Sequence, residues 1–157
     1  MAKLNPNINY QGELDSLRQI YVQSQPQARY GIIARRINQD EIGPVALCTL
    51  GSAVEALARA VVVHRSVSPA LDLATSYENE RHAKPEALVE KVLTSFGKAA
   101  PSDFFAEDTW ELFGYAVKFR NLVMHECTYL GQDKFVSLIA ATRDVLNALR
   151  KVSGLAE

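Results

Sequence analysis

The segment GPVALCTLGSAVEALARAVVVH, residues 43–64, decides the fold. Leu47, Leu50, Val54, Leu57, Ala58 and Val61 recur in steps of three and four, the period of an α-helix with a continuous apolar face. Pro44 suits the first helical position, where its missing N–H costs no hydrogen bond. A helix this apolar must be covered by other elements, so it is expected to be central and buried.

Outward from it, the same period recurs on both sides. Leu14, Leu17, Ile20 and Tyr21 share one face, Pro26 interrupts, and Tyr30, Ile33, Ala34 and Ile37 resume it, which gives two helices or one that is kinked. Ser66 to Lys84 is polar and irregular, with Pro69 and the charged run Glu78-Asn79-Glu80-Arg81-His82. It reads as a long surface connection with one helical turn, or as a mobile flap. Pro85 opens a short helix with Leu88, Val92 and Phe96 on one face, and Gly97 stops it.

After the break at Pro101-Ser102-Asp103, Asp108 and Glu111 have the form of a capping box ahead of the apolar stretch Trp110 to Met124. Gly131 separates this from a last helix, where Phe135, Leu138, Ile139, Thr142, Val145, Leu146 and Leu149 face away from Lys134, Arg143, Asn147, Arg150 and Lys151. No strand-like alternation bounded by turns occurs, nor any repeat. The expected architecture is all-α, a bundle of about five to six helices.

The chain has 157 residues, a common size for one domain with its own core, so residues 1–157 are expected to form a single domain. Its 48% hydrophobic and 22% charged content argues against disorder and coiled coil. A formal net charge of -1 means that no global field draws it to nucleic acid or anionic lipid, and any polyanion contact must be local. Cys48 and Cys127 fall in expected helices without metal-ligand spacing and read as reduced thiols. No signal-like apolar core opens the chain and no apolar run approaches a bilayer's thickness, so the expected compartment is the cytoplasm, without membrane attachment.

Chemistry concentrates in Phe119-Arg120-Asn121-Leu122-Val123-Met124-His125-Glu126. Asn121 and His125 are four apart and share a helix face, where the amide can fix the imidazole tautomer. Arg120 and His125 are five apart, roughly 140° around a regular helix. Spacing within one chain therefore does not make them partners.

Arg120-Asn121-Leu122-Val123-Met124-His125 resembles the Arg-polar-x-x-x-His signature of the HEPN superfamily, and Leu47 to Leu57, with Glu55 embedded, is similar to the apolar helix that many of its members place early. The resemblance runs from about Pro44 to the end, and the part from Lys84 through the motif is similar to the RiboL-PSP-like branch. It implies an α-helical domain that commonly forms a two-fold dimer, bringing two motifs to one cleft, and in many members a metal-independent endoribonuclease. Some of these act as toxins or in phage defence. By motif position Arg120 would hold the scissile phosphate, His125 would act as general acid or base, Asn121 would orient His125, and Glu55 would orient Arg120. RNA, a second copy and an antitoxin or regulatory protein are the implied partners; no cofactor or metal is implied. Toxins of the superfamily paired with a nucleotidyltransferase usually carry tyrosine two residues after the histidine, where this chain has Cys127, with Tyr129 two further on.

Plainer readings stand beside these. Arg120 and His125 can be a surface ion pair and a favourable charge at a helix C-terminus. Glu55 can pair with Arg59 one turn on, in solvent. Cys127 and His125, two apart, do not face each other as nucleophile and base, and Cys127 reads as a buried or idle thiol. His64, His82 and His125 share no ligand spacing. Arg35-Arg36, Lys118 with Arg120, and Arg150-Lys151 are solvated faces unless they border one cleft, and Trp110, Phe113 and Phe119 read as core. The rival to an RNase is a non-catalytic HEPN-like dimerisation or adaptor module that binds a protein partner.

Overall fold

The hydrophobic stretch at 44–66 forms one uninterrupted helix around which the others pack in a computed structural model that describes residues 1–37, 40–128 and 131–157. The described elements are α1 (Tyr10–Gln23), α2 (Pro26–Arg36), α3 (Pro44–Ser66), α4 (Leu73–Glu80), α5 (Pro85–Ser95), α6 (Pro101–Phe104), α7 (Thr109–Glu126) and α8 (Gln132–Val152). The bundle is all-helical, and no strand occurs among the described residues. Tyr129 lies outside the described residues.

Helix α3 touches α2, α4, α5, α7 and α8. Val54, Leu57, Ala58 and Val61 have essentially no exposed surface, and they meet Leu88 and Val92 of α5, Phe113 of α7, and Phe135, Val145 and Leu149 of α8 in one cluster. Each fully buried Leu, Val or Phe contributes about 1.5–3 kcal/mol relative to an exposed one. By length and composition α3 is long and apolar enough to cross a membrane, contrary to the expectation that no apolar run reaches that thickness. Its burial by five neighbours accounts for that composition equally well, and Glu55 and Arg59 interrupt it on one side.

The bundle has two more helices than the upper expectation, α4 and α6. The stretch 66–84 is not an irregular surface connection: reciprocal backbone hydrogen bonds between Ser68 and Leu71 (3.0 and 3.1 Å) close a turn, and Asp72 then caps α4 by accepting from the Thr75 N–H at 2.7 Å. Ser76, 1% exposed, donates to the Val63 carbonyl at 2.9 Å and locks α4 onto α3. The exposed Thr75, Glu78 and Asn79 give this stretch its polar character, which hid a packed helix.

Stops and starts follow local chemistry. Gly97 (φ 66°) ends α5, with Gly97 N–H donating to Thr94 O and Lys98 N–H to Leu93 O. The same pattern ends α8 at Gly154 (φ 68°), with bonds to Lys151 and Arg150 carbonyls; a left-handed residue satisfies the last carbonyls in this way, and glycine takes it without a Cβ penalty. The α1–α2 segment breaks at Pro26, giving two helices rather than one with a kink. The expected capping box at Asp108 does not form: Glu107 is left-handed (φ 49°) and Asp108 sits at φ -93°, ψ 9°, away from the extended backbone that aims a capping side chain at the helix. Helix α1 buries no residue; it packs on α4 and meets α2 through Arg29, whose guanidinium lies 4.2 Å from the Tyr21 ring centroid, and Leu14, Leu17 and Ile20 are about half exposed.

Candidate functional site

Arg120 is placed by the packing of α7. Phe113, Ala116 and Val117 are the buried residues of that helix, and position 120 continues their three-and-four spacing, so its side chain is directed at α3 rather than at solvent. Gly51 makes room for it: a Cβ there would lie 2.8 Å from the Arg120 Cδ. Four residues on, Glu55 Oε2 accepts a hydrogen bond from Arg120 Nη1 at 3.1 Å, and Oε1 accepts from Arg59 Nη2 at 2.6 Å. Arg59 Nε donates to the Glu80 carbonyl at 3.3 Å, which ties the cluster to the end of α4.

The side chains of Glu55, Arg59 and Arg120 are 24%, 14% and 13% exposed, so this is not the solvated pair of the plainer reading. Two guanidinium groups share one carboxylate and leave a local charge of about +1 in a partly desolvated setting, where a charge attracts an anion more strongly than it does in bulk water. The Arg120 Nε is buried without a hydrogen-bond partner. One turn before Gly51, burial pushes the Cys48 thiol above its ordinary range, with the nearby Arg120 charge opposing part of that rise.

Asn121 and His125 lie on the exposed side of α7, beside Leu122 and Met124. They make no hydrogen bond to each other among the described residues. The helix runs through Glu126 before Cys127 turns left-handed (φ 51°), so it does not deviate between Arg120 and His125 and the two point in different directions. The structure thus joins Arg120 to Glu55 and Arg59, and does not join His125 to them within the chain. Cys127 is exposed and just past the helix, which corrects its placement inside the helix and, of the two readings as a buried or an idle thiol, excludes the buried one.

The chain matches no family model, no curated protein and no solved structure. Its function has therefore to be read from its own geometry. Among the described residues no three His, Cys, Asp or Glu side chains converge as a metal site. Lys118 is exposed and lies 5.4 Å from the Tyr115 ring centroid, apart from Arg120, while Arg150 is turned to Leu155 O and Glu157. Trp110 and Phe119 are partly buried against the core; Phe113 is fully buried, and Trp110 stacks on Phe105 at 5.6 Å.

A feature that sequence reading missed is a groove of about 390 Å³ between α2, α3 and the end of α7, lined by Ile33, Arg36, Cys48, Ser52, Ala56 and Met124. Cys48 and Ser52 flank Gly51 in sequence, so the groove runs beside the Arg120 cluster. The legible signal was the stripe Phe113, Val117, Arg120 on one helix and the pair Gly51 and Glu55 on another. Which helix faces would meet was not legible.

Proposed function

We propose that this chain is a HEPN-type, metal-independent endoribonuclease whose cleft is completed by a second copy, with Arg120 binding the scissile phosphate and His125 acting as general acid or base. The observation that carries the reading is the Glu55–Arg120 ion pair joining α3 to α7 at 3.1 Å. It ties the motif arginine to the glutamate embedded in the central helix, and with Arg59 it leaves a net charge matched to the single negative charge of a phosphodiester. In this reading Glu55 orients Arg120, and Asn121 supports His125 through contacts made only in the dimer.

The divergence of Arg120 and His125 around α7 makes the second copy necessary: a two-fold axis would set Arg120 of one chain near His125 of the other. His125 then takes the 2′-hydroxyl proton or protonates the leaving oxygen, ending in a cyclic or 3′-phosphate. A toxin or defence role in the cytoplasm, with an antitoxin or regulatory partner, is consistent with that chemistry. The protein, Arg120→Lys and His125→Ala are compared on RNA with chelator present. The parent should cleave, and each variant should lose about 10²-fold or more; equal cleavage by all three, or none by the parent, refutes the reading.

A second reading is favoured by exposed apolar side chains near the end of α7 and the start of α8, where Leu122, Met124 and Val136 are 47%, 57% and 51% exposed. A non-catalytic HEPN-like adaptor would use this surface for a protein partner. It predicts that His125→Ala changes no RNA readout while Met124→Asp abolishes partner binding.

A further inference from the structure

The groove between α2, α3 and the end of α7 has the form of a seat for another helix. Its floor is the stripe Cys48, Ser52 and Ala56, small side chains spaced four apart that let a neighbouring backbone come close. Ile33 and Ile37 stand on the α2 side and Met124 on the α7 side, so the lining is mostly apolar. Arg36 is the one charged residue of the lining; it is exposed and makes no ion pair among the described residues.

The end of α7 carries the complement of that surface. Leu122 is 47% exposed, and Asn121, His125 and Glu126 are exposed beside it. Glu126 makes no ion pair among the described residues, and it closes the helix at the end where unsatisfied carbonyls add partial negative charge. Counted around the axis from Arg120, His125 stands at about 140°, Leu122 at about 200° and Glu126 at about 240°. Leu122 is therefore flanked by His125 on one side and Glu126 on the other. A helix end laid in the groove with Leu122 downward turns the imidazole to one wall and the carboxylate to the opposite wall.

We propose that the groove is occupied by the α7 end of a second copy of this chain. The partner's Leu122 rests on the floor of Cys48, Ser52 and Ala56, the partner's Glu126 pairs with Arg36 on the α2 wall, and the partner's His125 comes to the α7 wall that carries Arg120. A two-fold axis makes the same contact in the other direction, so each ion pair and each leucine seat occurs twice. The role of this contact in catalysis rests on the endoribonuclease reading, whereas the contact itself rests on the match of charge and shape. An unrelated protein would have to bring an acid and an apolar ridge at the spacing that this chain already presents.

The full chain, Arg36→Glu, Glu126→Arg and the double variant are compared by sedimentation equilibrium. The parent should be dimeric with a Kd of about 10 µM or tighter. Each single reversal sets like charges together twice and should weaken the dimer about 10-fold or more, and the double variant, which restores the pair in reverse, should return close to the parent. Both positions are exposed, so the reversals leave the core intact, and circular dichroism checks this. RNA cleavage gives a second readout from Arg120→Lys mixed one to one with His125→Ala. Half of the dimers are then mixed and each holds one complete cleft, so the mixture should recover about a quarter of the parent activity. A monomeric parent, single reversals without effect, a double variant no tighter than the singles, or no recovery in the mixture when the parent is active would each overturn the proposal. A dimer that follows the charge reversals but cleaves no RNA supports the docking and refutes the endoribonuclease reading instead.

Discussion

Replacing Gly51 by alanine separates the stability of the bundle from the placement of Arg120. The new Cβ would stand 2.8 Å from Arg120 Cδ and 3.4 Å from Nη1, so Cδ must retreat by about 0.6 Å to reach an ordinary contact of 3.4 Å. That movement carries Nη1 off Glu55 Oε2, where the bond is already 3.1 Å long. Losing a partly exposed, charge-assisted hydrogen bond costs about 1–2 kcal/mol, while alanine in a helix interior gains about 1 kcal/mol over glycine. The sum is near zero, and in a chain of this length about 1 kcal/mol moves Tm by roughly 2–4 °C. Thermal unfolding followed by circular dichroism should therefore show Gly51→Ala within about 4 °C of the parent. Under the proposed endoribonuclease function, RNA cleavage should fall steeply, because the guanidinium no longer sits where Glu55 holds it. A variant that keeps full cleavage would refute the dependence of activity on where Arg120 is held. A Tm lower by more than about 10 °C would show that Gly51 packs against something other than a side chain able to move.

Glu55→Ala leaves Arg59 and Arg120 facing each other without their shared carboxylate and should cost about 2 kcal/mol in urea unfolding, Glu55→Gln about half of that; a loss below about 0.5 kcal/mol would mean the cluster is solvated like an ordinary surface pair. Asp72 has its carboxyl held below the usual value of 3.8 by the Thr75 backbone N–H. A depressed folded-state pKa contributes stability above the unfolded value that is lost as pH falls through the folded one. Asp72→Ala should therefore lower Tm at pH 7, with the difference shrinking below pH 3.8 and vanishing under the folded-state pKa; a constant difference down to strong acid would refute the cap. With the Cys48 thiol pushed up by burial and Cys127 exposed, iodoacetamide at neutral pH should label Cys127 first, as peptide mapping would reveal, and preferential labelling of Cys48 would contradict this order.

Apolar periodicity made α3, α5, α7 and α8 legible, because burial on one face writes itself into the sequence at three-and-four spacing. Helix α4 escaped: Ser76, a hydroxyl bonded to a carbonyl, fills its buried position, and Tyr77 is only partly buried. The cap at Asp72 was the available sign. At the site, the regular spacing of Arg120 and His125 already implied that they diverge, and α7 keeps them apart. Glu55 and Arg120 are 65 residues apart, so their contact depends on how α3 crosses α7, and the bond of Arg59 to the end of α4 depends on a helix that periodicity did not reveal. The orphaned atoms of His64 and Ser153 were illegible for the same reason, since burial of single atoms is a property of packing alone.

Helix α1 gives the bundle an uneven cooperativity. With no buried residue and its stripe of Leu14, Leu17 and Ile20 about half exposed, it contributes little of the apolar burial that holds the other helices together. The free energy needed to open a segment scales with the burial it gives up. The amides of α1 should then exchange by local detachment, on a scale set by its few contacts, while those of α3 wait for the whole bundle to unfold. A cut between Gln23 and Pro26 would remove the least stable part and leave the core intact.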